Sequence, residues 1–398
     1  VVYCMNYSVT ALGVVYFIIS TLLLPLMVQA FSCLIAWIIS LISSKMRNKN
    51  IITMVVSLLF LAAYFYLYSK MGDIISSLIA NGTAVAVAFK KYAFPAYYFG
   101  VGIAQHNLTY LLLYTVCTLV VFELVYAILS RSFRQITTAK KGAARIKYKE
   151  KAMRVSTPAA ALLRKDLRHF IGNPMYMLNA WMGEILLIVA CVAMLIKKDF
   201  LTELLPALDG AGETLGLLLC VILCGLSCTN LITAPSISLE GKNLWIAQSI
   251  PVPAAVVLRA KVKLQMLLCI PITAFAALVM GLILGLELPV LLLVMLVSSA
   301  FNVFTALLGV VVNLRFPKFD YINETAVIKQ GMSTMICMFG SMAVVLVLSL
   351  LYALLLASIV APILFLAICL ALLATACTLM WRYLAHGGSL RFAALQTD

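Results

Sequence analysis

The sequence predicts an all-α, polytopic integral membrane protein with about ten transmembrane helices in two parallel pseudo-repeats. Hydrophobic residues make up 64% of the chain and charged residues only 11%, against about 45–50% and about 25% in soluble domains. Mean hydropathy is +1.10. Apolar runs recur along the whole length, each close to the roughly 20 helical residues that cross a hydrocarbon core of about 30 Å.

Taken in order, the first two expected spans, 8–24 and 27–44, share one apolar run broken at Pro25, because proline disfavours a helix interior. Spans follow at 51–69 and 107–130. Between them Lys70 to Gln105 is the one sizeable external segment. Its stretch Lys90-Lys91-Tyr-Ala-Phe-Pro95-Ala-Tyr97-Tyr98 suits either an interfacial lid or an ordinary aromatic belt. Residues 131–154 are basic with few apolar partners and read as a solvated linker. Ser156-Thr157-Pro158 then offers a cap with proline at the first helical position, and Gly172-Asn173-Pro174 a stop. Between these signals Leu163, Leu167, Phe170 and Ile171 make an apolar stripe beside polar Arg164, Lys165, Arg168 and His169, the pattern of a helix lying in the headgroup region. Six further spans are expected at 175–196, 213–235, 264–286, 288–313, 333–357 and 359–381, the last two divided near Ala361-Pro362.

The charge of +15 is first a topology signal. With the N-terminal piece inside, all basic residues except Lys70, Lys90, Lys91, Lys197 and Lys198 fall in inner segments, as the positive-inside rule requires. Both ends of the chain are then expected on the cytoplasmic side of the membrane. The basic residues are shared among several loops with little aromatic interleaving, which argues against a nucleic-acid partner. Residues 8–130 and 264–381 share a loop arrangement, the plan of parallel transporter halves. The chain accordingly divides into 1–130, a linker 131–155, and 156–398. Val1-Val-Tyr-Cys has neither an initiator Met nor a signal-peptide pattern, so the first half is expected to lack its opening helices.

Most chemical constellations are weak. Cys220, Cys224 and Cys228 share a helix face, a spacing open to a soft metal but better suited to packing. His106, His169 and His386 are scattered over both sides, and no metal site is expected. Gly281-x-x-x-Gly285 fits close helix packing. Two acids within apolar spans, Glu123 and Glu184, are candidate polar residues of a translocation path or a proton-accepting pair, because a carboxylate there needs a cavity or a partner. The structural reading has each protonated or bonded to Asn179, Asn230 or Asn302. No G-x-x-x-x-G-K-[ST] loop occurs in the sequence, so the chain is not expected to hydrolyse ATP itself.

The most ordered polar stretch is Ser236 to Lys263. Ser238-Leu-Glu240-Gly241-Lys242-Asn-Leu-Trp245 is followed by Ser249-Ile-Pro251-Val-Pro253, then Arg259, Lys261 and Lys263. An amphipathic helix followed by six spans, with such a loop after the second, resembles the membrane half of a type-2 ABC exporter permease. The loop and the segment Lys45-Met-Arg47-Asn48-Lys49-Asn50 are similar to those of bacterial members built from two fused six-helix halves. The resemblance implies a permease coupled to a separate ABC-type ATPase that hydrolyses the ATP. It also implies a docking face of Glu240, Gly241, Lys242, Trp245, Ser249 and Pro251, and a counterpart loop upstream of Val1. Arg259, Lys261 and Lys263 are expected to meet membrane lipid phosphates. An ion-coupled secondary transporter relying on Glu123 and Glu184 is the rival; a lipid-modifying enzyme would need convergent acids or histidines that the sequence does not offer.

Overall fold

The structure, a computed structural model, describes residues 11–44, 49–81, 89–138, 156–196 and 212–396, with positions 87 and 198. The chain forms two compact units, Val1–Lys151 and Ala152–Asp398. Among the described residues all regular elements are helices, and an isolated bridge pairs Trp181 with Asn230.

In the first unit the helices are α1 (Ala11–Ser44), α2 (Lys49–Ser69), α3 (Met71–Ala80), α4 (Phe94–Ala104) and α5 (Leu108–Thr138). Helix α1 continues through Pro25, so the described residues of the expected spans 8–24 and 27–44 form one helix. The residues around the proline are Leu22 to Met27, with no polar side chain to build a turn. Opening the helix in hydrocarbon would orphan more backbone groups than the one bond proline removes. At 34 residues the helix is about 50 Å long, so Ala11 and Ser44 lie at its opposite ends. The correspondence of 8–130 with 264–381 therefore loses its first element. Helices α2 and α3 meet at a 46° bend. The described part of the segment expected outside is helical in α3 and α4, and rings of Tyr97 and Tyr98 pack on Tyr110 of α5. Helix α5 runs on to Thr138, while 139–155 of the expected linker and 45–48 of the Lys45–Asn50 motif lie outside the described residues.

The second unit contains α6 (Pro158–Gly172), α7 (Pro174–Ala180), α8 (Met182–Ile196), α9 (Gly212–Ser227), a tight turn (Ser238–Asn243), α10 (Leu244–Ser249), α11 (Ala254–Ile283), α12 (Leu288–Arg315), α13 (Glu324–Gln330), α14 (Met332–Leu351, extended by a π turn over Tyr352–Leu356), α15 (Pro362–Ala385) and α16 (Gly387–Ala393). Six described stretches in the whole chain are long and apolar enough to cross a membrane: α1, α5, α11, α12, the run Glu324–Leu356 and α15. The bent α2–α3 pair makes a seventh, and α8 and α9 are shorter apolar helices.

Helix α12 is the hub. Within its most apolar stretch 61% of residues are buried, against 39% for α11 and 17% for α15, because α9, α11, α14 and α15 all pack on it. Leu223, Ala277, Val294 and Phe301 form the middle of this core, with Cys220, Cys224 and Cys228 as buried free thiols among them. Gly281 lies where a Cβ would run into Leu291, whereas Gly285 makes the α11–α12 turn at φ +66°. The two glycines are thus a close contact and a turn, not one packing face. In α6, Thr157 caps the first turn and the buried residues are Leu162 and Phe170. Ile171, expected in the stripe, is half exposed.

Candidate functional site

Helix α9 ends at Ser227, well before the expected 235. The next ten residues, rich in Ser, Thr and Asn and holding Pro235, leave helical geometry while buried in the bundle. Backbone at such depth is tolerated only when the protein itself supplies its hydrogen bonds. It does so here. Leu231 N donates to Ala180 O at 2.8 Å; Thr233 N donates to Gln265 Oε1 at 3.0 Å; Ile237 N and Ser238 N donate to Asn313 Oδ1 at 2.8 and 3.1 Å. Gly309 of α12 is where this strand of chain approaches most closely, since a Cβ there would strike Thr233 Oγ1 and the backbone of Ala234.

The chain then turns at Ser238–Asn243, and Gly241 takes φ +53° with the Tyr321 hydroxyl against it, a conformation that disfavours any side chain. Ser238 Oγ accepts from Lys318 N at 2.9 Å and from Asn313 Nδ2 at 2.8 Å, and Tyr321 OH donates to Leu239 O at 3.2 Å. Glu240 points inward. Its carboxylate accepts from Lys261 Nζ of α11 at 2.8 Å and from Lys165 Nζ of α6 at 2.7 and 2.8 Å. Burial pushes the Glu240 carboxyl up, but the two ammoniums outweigh it and hold its pKa at about 2. Lys261 is only 3% exposed; it also donates to Ser236 O at 3.0 Å and lies 3.7 Å from Asp166. These groups, with His169, Tyr176 and Glu324, line a cleft of about 360 Å³ between α6, the turn and α13. Glu324 closes its far side, 3.8 Å from His169 and bonded to Asn173 Nδ2.

Beyond the turn, α10 divides its residues by face. Leu244 and Ala247 are buried against Leu258, Val310 and Phe392, and Gln248 Nε2 donates to the carbonyls of Phe392 and Leu395 at 2.9 Å each. Trp245 is 61% exposed and Ile246 46%, flanked by exposed Lys242, Ser249 and Pro251. The expected docking set therefore splits. Lys242, Trp245, Ser249 and Pro251 face outward, while Glu240 and Gly241 are buried or pinned parts of the frame. Sequence spacing gives no sign of the Glu240 partners, which lie 75 residues before it and 21 after it.

Of the expected lipid-facing cations, Lys261 is buried as described, and the Arg259 guanidinium lies over the Trp381 ring at 5.1 Å. Lys263 is exposed, as are Arg164, Lys165 and Arg168 on α6. Glu123 is exposed on α5 of the first unit. Glu184 of α8 is fully buried in a different kind of cluster. Its Oε1 accepts from Asn230 Nδ2 at 2.8 Å and Thr273 Oγ1 at 2.9 Å. Asn302 Nδ2 donates to Thr273 Oγ1 and Ser227 Oγ. Asn179 instead bonds its own helix at Met175 O. Glu184 Oε2 has no hydrogen-bond partner among the described residues, and Cys269 lies beside the carboxyl. No group of three or more His, Cys, Asp or Glu among the described residues has the geometry of a metal site.

The two sites differ in what they can do. The Glu184 cluster, made of neutral amides and hydroxyls around one acid, can hold or move a proton. The turn and α10 form a rigid, preorganised surface with an aromatic anchor, suited to a partner protein. No curated protein and no solved structure matches the chain. A family described as "Putative ATP-binding cassette" matches residues 8–380. That match spans nearly the whole sequence, and the chain belongs to this ATP-binding-cassette family.

Proposed function

We propose that the chain is the membrane-spanning permease of an ATP-driven exporter, and that a separate ABC-type ATPase docks on the outward face of α10 and its flanks, Lys242, Trp245, Ser249 and Pro251. The observation that carries this reading is the division of the loop: an inner side locked to α6, α11 and α12, and an outer side that leaves Trp245 in water. An exposed tryptophan on a helix whose other face is packed is a ready interface anchor, since it brings a large apolar area with few rotatable bonds. Family membership supports an ATP-dependent system, and in this reading a partner subunit carrying the Walker loop hydrolyses the nucleotide. The Lys and Arg distribution supports a cytoplasmic position for this end of the bundle in a plasma-membrane protein, with Arg164, Arg168 and Lys263 toward lipid phosphates.

In this reading the ATPase closes on nucleotide and draws the loop with it. Glu240 transmits the pull to α11 through Lys261 and to α6 through Lys165, so that helix movement in the bundle follows from the loop as a rigid body. The test is co-purification of the full chain with its ATPase. Wild type retains a Walker-loop polypeptide and Trp245→Ala loses it; retention undiminished by Trp245→Ala contradicts the docking face.

A second reading, ion-coupled transport, draws on Glu184, whose Oε2 is unpartnered in a buried polar cluster. It expects Glu184→Gln to abolish transport driven by an ion gradient without ATP; gradient-driven flux unchanged in that variant removes it.

A further inference from the structure

We propose that the loop Phe316–Asn323 supplies a second anchor, Ile322, to the same docking surface, so that one ABC-type ATPase engages both loops of this unit at once. The inference rests on the assignment of Trp245 as the ATPase contact and extends it to a segment that the resemblance did not implicate.

Ile322 is 108% exposed, more than any other large apolar side chain among the described residues. A single exposed apolar residue is ordinary on a protein surface. What distinguishes Ile322 is its frame. The residue before it, Tyr321, donates to Leu239 O at 3.2 Å and its hydroxyl sits against Gly241. Lys318 N donates to Ser238 Oγ at 2.9 Å, and Asn313 joins Ile237, Ser238 and Ser333. The same short turn that carries α10 thus fixes the position of Ile322. Ile246 of α10 and Glu324, two residues after Ile322, line one cleft. Trp245, Ile246 and Ile322 are thus three exposed apolar side chains carried by segments that the Ser238–Asn243 turn joins.

Lipid is the other medium that takes exposed apolar side chains, and helix length argues against it. From the Gly285 turn back to Ala254, α11 has 30 residues, about 45 Å at helical rise. The hydrocarbon core takes up about 30 Å of that. The loop end of the bundle therefore stands roughly 15 Å beyond the acyl chains if the turn lies at the far boundary. The exposed charges there are mainly basic, Lys242, Arg315, Lys318 and Lys329 against Asp320. The fitting partner is a soluble protein face with apolar pockets in an acidic surround, which opposes the like-signed loops of the permease itself.

The test uses the full chain co-expressed with the Walker-loop ATPase that it retains. Ile322→Asp is expected to lower ATPase retention about tenfold, as loss of an interface anchor does, with an unchanged thermal midpoint; Ile322→Ser gives a smaller loss in the same direction. A photo-crosslinking residue at 322 and another at 245 should label the same polypeptide, identified by its Walker peptide in mass spectrometry. If Trp245→Ala abolishes retention and Ile322→Asp does not, or if the crosslinker at 322 labels only lipid, the second anchor is wrong and the docking face stands. If neither variant reduces retention, the docking face itself is wrong and the second anchor falls with it.

Discussion

Glu240 and Glu184 are both acids withdrawn from water within the same unit, and their surroundings are opposite. Glu240 is met by two ammoniums, one of them buried, and is the centre of a charged clasp between α6, the turn and α11. Glu184 is met by an asparagine amide and a threonine hydroxyl, with no cation among its hydrogen-bond partners. The difference teaches what each can do. A carboxylate between ammoniums stays ionised and acts as a mechanical pin, whereas a carboxyl among neutral donors has no counter-charge to keep it ionised.

Removing one member of the charged clasp tests the contrast most harshly. Lys261→Met leaves the Glu240 carboxylate, largely withdrawn from water, with only half-exposed Lys165, and should cost about 3 kcal/mol of stability, as broken buried pairs do. Lys261→Met combined with Glu240→Leu should recover much of that loss in thermal unfolding; equal losses in the single and double variants would show that the pairing is not what matters. Acid does the same without mutation. Glu240 titrates at about 2 in the folded chain against 4.5 ordinarily, so its contribution is fully present above about pH 4.5 and is lost as pH falls toward 2, amounting to at most about 3 kcal/mol. Unfolding midpoints of wild type should drop over that window by more than those of Glu240→Gln.

Amide replacement of the two acids gives a finer comparison. Glu240→Gln leaves Lys165 without its counter-charge and Lys261 with only Asp166 at 3.7 Å, and should cost about 2–3 kcal/mol. Glu184→Gln keeps an acceptor for Asn230 and Thr273 and should cost less than about 1 kcal/mol. Equal losses would erase the distinction drawn here. The smallest expected stability effect belongs to the outer face, where Trp245→Ala should change stability by no more than about 0.5 kcal/mol.

Much of the fold was legible because membrane helices announce themselves by local composition. Helix α12 and helix α15 lie close to their expected bounds, and Pro362 opens α15 as a proline at a first turn should. Pro25 misled because the cost of breaking a helix is set by the solvent around it, which a proline rule for water does not include. Helix α9 ran short for a non-local reason: residues 228–237 leave the helix and bury their backbone against Gln265 and Asn313, donors and acceptors far away in sequence. The site divides along the same line. That Leu244 and Ala247 point one way and Trp245, Ile246 and Ser249 another follows from helical spacing. That Glu240 turns inward does not, because it depends on Lys165 and Lys261, which reach it from two other helices. Ile322 was missed for a related reason, since a single isoleucine in a loop carries no pattern until the fold ties that loop to the turn before Trp245.

The central claim is that the loop holds by its inner face and binds by its outer one. Trp245→Ala, measured in one preparation for both thermal midpoint and ATPase retention, tests it most directly. An unchanged midpoint with retention lost is the result expected; a lowered midpoint with retention intact would make Trp245 a packing residue and remove the docking face.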